Sequence, residues 1–294
     1  MPPNPAFKRI ALMGRQRQNG TYDTLITLHD YLVDKGYAVV FEKETAEHVS
    51  PQKVNAVASD ELSQTSDIII VVGGDGSLLH AAQIAIDQSL PILGVNRGRL
   101  GFLTDMHPNN LPKIEEVLNG HYHEEPRFLL RAEVLKKEEA VAYVEGLNEV
   151  VLFPSDVAHM IDFDIMINQQ SVCSLRADGL IIATPTGSTA YALSGGGPIL
   201  HPELNAVAMV PMFPHTLTNR PIVVSADSHI LINISHQNTC DAYASADGQR
   251  RVQIEVGDRV HIHKKSAPLR LIHPLDYSYF DTLRAKLHWQ KGHA

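Results

Sequence analysis

The chain has 294 residues and a mass of 32.4 kDa, a length that predicts two domains at about 150 residues each. Its net charge of −8, from 25 Lys plus Arg against 33 Asp plus Glu, excludes bulk electrostatic binding to nucleic acid or to an anionic membrane. The longest Val/Ile/Leu run, Ile68 to Val72, is far below the ~18 residues that span a bilayer. The N-terminus has no apolar h-region, and the two cysteines, Cys173 and Cys240, lack CxxC spacing, so a cytoplasmic protein with reduced thiols is expected.

In chain order, Lys8 to Gly14 reads as a strand, and Thr21 to Lys35 as a helix with Leu25, Leu28 and Leu32 on one face and Gly36 as its stop. Tyr37 to Lys43 is a second strand. Asp67 to Val72 is apolar without alternation, the pattern of a strand covered on both faces, which favours a parallel sheet. A glycine-rich loop then opens a helix near Ser77, and Pro91 to Asn96 returns as a strand, completing a βαβ unit. Pro112 to Leu118 is a short helix closed by Gly120. Residues 1–125 are therefore expected to form a Rossmann-like α/β domain.

After His121 the texture changes to short strand-like runs: Leu129 to Lys136, Ala140 to Leu147, Phe163 to Ile167, Gly179 to Thr184, Ile222 to Val224, Ile230 to Ile234, Arg259 to His263 and Leu269 to Ile272. These predict a β-rich, sandwich-like domain over residues 126–271. From Asp276 to Gln290, Phe280, Leu283 and Leu287 fall at +3 and +4. Residues 272–294 are expected to pack back on the first domain through that helical stripe.

Eleven of the 19 glycines lie in two windows, 73–101 and 179–197, so special backbone geometry is concentrated there. In the first, Gly73-Gly74-Asp75-Gly76-Ser77 follows a buried strand. Its glycines allow close approach to a ligand, and free N–H groups at a helix start favour phosphate oxygens. Asp75, the one charge in the loop, would repel phosphates unless it takes a proton from an attacking hydroxyl or holds Mg²⁺. A tight turn with Asp75 as helix cap is the plainer alternative. No Gly-Lys dipeptide occurs and no GxGxxG follows a predicted strand, which excludes a Walker A loop and a standard dinucleotide fingerprint. Arg97 and Arg99 are candidates either for phosphate contact or for ordinary surface pairing.

In the second window, Thr184-Pro185-Thr186-Gly187-Ser188-Thr189-Ala190-Tyr191 offers neutral hydroxyls around a nucleotide, or simply a hydroxyl-rich turn capped by Ser188. Neither Ser188 nor Ser194 lies in GxSxG, which argues against a hydrolase nucleophile. Asn148-Glu149 and Asp247-Gly248-Gln249, taken alone, suit ordinary turns. His121-x-His123 and His261-x-His263 each place two imidazoles on one strand face, yet no third ligand stands at a recognisable spacing.

Together these segments resemble the bacterial NAD kinase family. The likeness rests on GGDGS at 73–77, NRGRLGFLTD at 96–105, Asn148-Glu149, RADGLIIATPTGSTAYALSGGGP at 176–198, and Asp247-Gly248-Gln249. GGDG alone is shared with lipid kinases and phosphofructokinases; the TPTGSTAY element paired with NE is more specific. The resemblance implies transfer of the γ-phosphoryl of ATP to the 2′-hydroxyl of the adenosine ribose of NAD, giving NADP and ADP. The ATP would carry Mg²⁺ or another divalent cation, with no fixed protein ligands to the metal. It also implies a homo-oligomer, a tetramer or dimer.

Carried over, Asp75 takes the proton at the 2′-hydroxyl with Gly76 beside it, and Gly73, Gly74, Gly76 and Ser77 meet the ATP phosphates. Asn148 and Glu149 contact the adenosine ribose and Phe102 packs on the adenine. Thr186 and the run Thr189, Ala190, Tyr191, Ala192, Leu193 and Ser194 line the adenosine pocket. Arg176, Asp178 and His159 approach the nicotinamide half, partly across a subunit boundary, and Gln249 completes the site. Two rivals share parts of this pattern. A lipid kinase needs a membrane-facing apolar or basic surface, against the charge balance. A silent NAD(P) sensor needs no Asp75.

Overall fold

The computed structural model describes residues 6–15, 20–49, 54–98 and 101–289. The chain divides into two compact units, Met1–Pro126 with Leu269–Ala294, and Arg127–Pro268. The first begins with β1 (Arg9–Gly14), α1 (Thr21–Asp34), β2 (Ala38–Glu42), α2 (Lys43–Val49), β3 (Ala56–Val57), α3 (Leu62–Thr65), β4 (Ile68–Gly73), α4 (Asp75–Asp87), β5 (Ile92–Asn96), α5 (Leu111–Leu118) and β6 (Tyr122–Arg127). The second contains β7 (Leu130–Lys136), β8 (Glu139–Gly146), β9 (Glu149–Pro154), β10 (Ile161–Ile167), β11 (Gln170–Ala177), β12 (Gly179–Ala183), α6 (Tyr191–Ser194), β13 (Ala206–Met212), β14 (Ile222–Ser225), β15 (Ile230–Ile234), β16 (Ala242–Ala246), β17 (Arg250–Ile254) and β18 (Arg259–Lys264). β19 (Leu269–Pro274) and α7 (Tyr279–Leu287) return the chain to the first unit.

In the first unit the sheet order is β3-β2-β1-β4-β5-β19-β6. β1, β4 and β5 pair in parallel, with Ile10 opposite Ile68 and Ile69 opposite Ile92. Every residue of β4 and β5 is buried, as a strand covered on both faces requires. Leu25, Leu28 and Leu32 of α1 pack into the same core. The order runs outward in both directions from β1 and β4, so their carboxyl ends form the topological switch point where open α/β sheets bind ligands. Gly73 and Asp75 stand there, at the end of β4 and the start of α4.

The second unit is a β-sandwich of the sheets β11-β10-β15-β18-β7-β8 and β14-β13-β12-β9-β16-β17. Their inner faces share one core, with Phe163, Ile232 and Ile262 from the first sheet and Leu152, Leu180 and Ile254 from the second. Alternation places these residues inward and their neighbours outward.

Two readings change. The strand around Leu269 to Ile272, assigned by its texture to the β-rich domain, pairs in parallel with β5, Leu271 opposite Ile92 and Ile272 opposite Leu93. A short apolar run carries no mark of which sheet it joins. In α7 the buried residues are Thr282 and Leu283, whereas Phe280 is 55% exposed, so the expected stripe is narrower. Among the described residues no helix is long and apolar enough to cross a membrane.

Candidate active site

Asp75 occupies the first turn of α4 with Gly74 as N-cap, and no side chain caps the helix. Its carboxylate turns instead to the segment 101–104. Oδ2 accepts the Phe102 N–H at 2.9 Å, and Oδ1 accepts the Leu103 N–H at 3.0 Å and the Thr104 hydroxyl at 3.4 Å. The capped-turn alternative is therefore not the one realised: two backbone donors fix the carboxylate, a charge-assisted arrangement that costs no reorganisation. Gly101 makes this possible, because a Cβ there would clash with Asp75 Oδ1 and Thr104 Oγ1. The segment is itself anchored, with Asn96 Nδ2 donating to Thr104 O at 3.2 Å and Oγ1 at 3.0 Å.

Ser77 lines a cavity of about 370 Å³ with Met13, Gly14, Arg15, Thr45 and His80 at the switch point. Gly76 is exposed. Arg97 turns its guanidinium to Thr24, with Nη1 to Oγ1 at 2.7 Å, which is the ordinary pairing of the two alternatives. Arg99 lies outside the described residues. The Phe102 ring has Lys286 Nζ 5.8 Å above it.

In the second unit a pocket of about 710 Å³ gathers residues far apart in the chain: Glu149, His159, Asp178, Tyr191, Asp247 and Gly248, against the apolar walls Val151, Phe153, Met212 and Phe213. Tyr191 also borders an adjoining cavity of about 430 Å³ with Ser194. Arg176 is exposed on β11, with Nε 4.0 Å from Asp162, and Gln249 is exposed in the turn before β17. Neither lines either pocket.

The hydroxyls of the TPTGST loop build the loop itself. Thr184 Oγ1 donates to Leu147 O at 2.6 Å and accepts from Gly187 N, and Ser188 Oγ joins Pro185 O and Leu200 N. Thr186 accepts from the buried Arg127 at 3.0 Å, and Thr189 donates to Thr186 O. Gly187 lets this loop pass against the Asn148 backbone, where a Cβ would overlap the Asn148 carbonyl. The loop therefore sets the place of Asn148, Ala190, Ala192 and Leu193 by backbone contact rather than by offering four free hydroxyls.

Asp247, with φ of 50° beside Gly248 at 64°, accepts the N–H groups of Leu147, Asn148 and Glu149 at 2.8, 2.8 and 3.1 Å. This carboxylate ties the Asp-Gly turn to the Asn-Glu corner, a role the sequence reading missed although the Asp-Gly dipeptide signalled the turn. Burial raises the Asp247 carboxyl against the pull of those three donors. Glu149 is buried beside it, with Oε2 lacking a hydrogen-bond partner. Desolvation, and then the Asp247 charge, push its pKa up to about 8.

Because the folded value of Glu149 lies above the unfolded one, its proton favours the fold fully below the ordinary carboxylate range, and that contribution is lost as pH rises through about 8. Glu149→Gln is expected to remove this loss, on the order of a few kcal/mol, and to flatten the fall in Tm between pH 5 and 9. Parallel melting curves for the two proteins across that range would overturn the assignment.

A second buried network went unread in the sequence. His273 of β19 is fully buried, with Nδ1 2.9 Å from Asp105 and Nε2 3.1 Å from Glu125, and it stacks on Tyr277 at 3.8 Å between centroids. The Glu125 contact is an ion pair without aligned hydrogen-bond geometry. Burial alone would lower the His273 pKa, but the two carboxylates outweigh it and the net direction is up.

The ATP-NAD kinase N-terminal domain model matches residues 10–122, and the ATP-NAD kinase C-terminal domain model matches residues 147–274. An NAD kinase of Coxiella burnetii is 56% identical over 98% of this chain and 96% of its own length, and one of Hahella chejuensis is 50% identical over 97% of each. Among solved structures, an Archaeoglobus fulgidus NAD kinase in complex with ATP aligns with a TM-score of 0.70 at 26% identity, covering 94% of this chain and 99% of its own. A yeast NADH kinase complexed with NADH shares the fold, with a TM-score of 0.87 at 24% identity over 99% of this chain and 90% of that one. Two family models that together take in most of the chain, and near-full-length relatives at half identity or more, leave one conclusion: the protein belongs to the ATP-NAD kinase family and is a phosphotransferase.

Proposed function

We propose that the chain transfers the γ-phosphoryl group of ATP to the 2′-hydroxyl of the adenosine ribose of NAD, giving NADP and ADP. The observation that carries this reading is the Asp75 carboxylate, fixed by the Phe102 and Leu103 N–H groups at the start of α4. Phosphoryl transfer passes through a loose transition state, so catalysis is chiefly alignment and charge neutralisation. A carboxylate is a far weaker base than an alkoxide, so Asp75 orients the 2′-hydroxyl by hydrogen bond and takes its proton late, as the new O–P bond forms.

Gly73, Gly74, Gly76 and Ser77 offer the phosphate contacts at the start of α4, and the cavity beside them, which Ser77 lines with Arg15 and His80 as well as Glu42 and Glu44, gives room at the switch point. The divalent cation enters as part of the substrate, MgATP.

For the acceptor, Asn148 and Glu149 meet the ribose, Phe102 packs on the adenine, and Thr186 with Thr189 to Ser194 shapes the adenosine pocket. His159, Arg176 and Asp178 serve the nicotinamide half, and Gln249 closes the site. The large pocket supports the parts played by Glu149, His159, Asp178 and Tyr191, which share its lining with apolar walls and with Asp156 and Asp247; carboxylates there suit a cationic nicotinamide ring, whereas the roles of Arg176 and Gln249 rest on the family resemblance. Incubation with MgATP and NAD, followed by assay with an NADP-specific dehydrogenase, is expected to show NADP. No product at high enzyme concentration rejects the reading.

The assembly is a homo-oligomer, a tetramer or dimer. Val157, Phe213 and Leu217, exposed at 95, 80 and 91%, support it, since apolar side chains so open to water are commonly covered by a partner. Light scattering that returns the monomer mass rejects it. The two free cysteines fit a reducing compartment, and we place the protein in the cytoplasm.

A further inference from the structure

The sandwich carries a cluster that phosphoryl transfer leaves unused. β7 and β18 are antiparallel neighbours with Glu133 directly opposite His261. Ile262, between the two histidines, is fully buried in the sandwich core, so His261 and His263 share the opposite face, beside Glu133. One ligand atom from each of Glu133, His261 and His263 lies within 4.8 Å of the others. The two rings are 4.8 Å apart between centroids, and Glu133 Oε2 is 3.6 Å from His261 Nδ1. The third ligand that was missing from the HxH spacing thus comes from the neighbouring strand.

We propose that Glu133, His261 and His263 form a binding site for one divalent transition-metal ion of the zinc class. Two imidazoles and a carboxylate are the donor set of three-ligand zinc sites, in which a fourth position is left to water. With metal–ligand bonds of about 2.0–2.2 Å, binding requires the three donor atoms to draw together from their present separations. If His261 ligates through Nδ1, its Nε2 faces His229 Nδ1 at 2.9 Å, which fixes the ring as outer partners of metal-bound histidines do. His263 Nδ1 is buried and has no hydrogen-bond partner in the protein, so this ring has a polar atom that the fold leaves unserved.

The nearby cations are largely engaged elsewhere. Arg131 Nε lies 2.9 Å from Glu145 and its guanidinium stacks 4.2 Å from the Tyr143 ring, whereas its approach to Glu133 is 3.9 Å. Lys265 also pairs with Glu145, at 2.7 Å, and Lys264 with Asp227 at 3.6 Å. Glu133 thus keeps one long contact, from Oε1 to Arg131, while its Oε2 faces His261.

The test uses the full-length protein stripped with a chelator and Zn²⁺ alone as the probe. Isothermal titration is expected to show one ion per chain with a dissociation constant at or below the micromolar range, and Zn²⁺ in excess is expected to raise Tm by a few degrees. Mg²⁺, which prefers oxygen donors, is expected to do neither. The His261→Asn/His263→Asn double variant is expected to lose binding at least about 100-fold, and Glu133→Gln and His229→Asn to weaken it about 10–100-fold. Circular dichroism and NADP formation without Zn²⁺ serve as controls for folding. No saturable binding below about 100 μM would overturn the proposal, as would tight binding unchanged in both the double variant and Glu133→Gln, or an equal response to Mg²⁺.

Discussion

Asp75→Asn is expected to lower kcat for NADP formation by about 10²–10⁴-fold while leaving NAD affinity nearly unchanged. The carboxylate accepts from two backbone N–H groups on one side, and in the proposed reaction its remaining lone pairs meet the substrate hydroxyl. An amide keeps the shape but accepts through one atom only. One of the Phe102 and Leu103 N–H groups would then face an NH₂, at a cost of about 1–3 kcal/mol, and no group would remain to receive the proton.

A loss of turnover could thus arise from chemistry or from a disordered 101–104 segment, and Gly101→Ala separates the two. That variant keeps Asp75 but pushes a Cβ against its Oδ1. It is expected to lower both stability and kcat, whereas Asp75→Asn lowers kcat by far more than its Tm change explains. A folded Asp75→Asn protein with near-normal turnover would remove Asp75 from the chemistry.

His273→Leu is expected to destabilise the first unit by about 3–5 kcal/mol at pH 7. Both carboxylates are nearly inaccessible, at 6% for Asp105 and 9% for Glu125, and without the imidazole between them two buried charges face one another. In the parent protein the folded pKa of His273 is raised. Its stabilising contribution is therefore complete below the ordinary imidazole range and lost as pH rises through the raised value. In the variant the part of the pH dependence that His273 carries should be absent.

The effect should also reach turnover. Asp105 follows the segment that holds Asp75, and Met106 next to it bonds to Gly94 and Asn96 of β5, so loss of His273 is expected to displace that segment and, on the proposed function, to lower kcat. Thermal denaturation from pH 5 to 9, with kcat measured alongside, reads both. A Tm shift of about a degree or less at pH 7 would show that the pair is not coupled as described.

The elements that were legible before folding are those whose signal is local. β4 is five consecutive Ile and Val residues closed by glycine, and its burial on both faces can be read from that run. α1 places three leucines on one stripe, and Gly36, at φ +86°, stops it where a side chain would be strained. Strands β11 and β16 went unrecognised for the converse reason. Gln170–Ala177 is polar and mostly exposed, and Ala242–Ala246 (AYASA) is poor in β-branched residues. Both exist because neighbours pair with them, a preference that tertiary context confers.

The candidate site divides along the same line. The sequence by itself determined the GGDGS loop and the TPTGSTAY corner, because glycine spacing and loop chemistry act over a few residues, and those segments carried the family resemblance. Tertiary structure alone decided what each charged group meets. Asp75 finds the 101–104 backbone, Asp247 the N–H groups of residues 147–149, His273 its two carboxylates and Glu133 its two histidines. Each pairing joins residues far apart in the chain, and strand register or loop closure fixes it. No local propensity encodes such a distance; it follows from burying the apolar faces of the sheets in one register only.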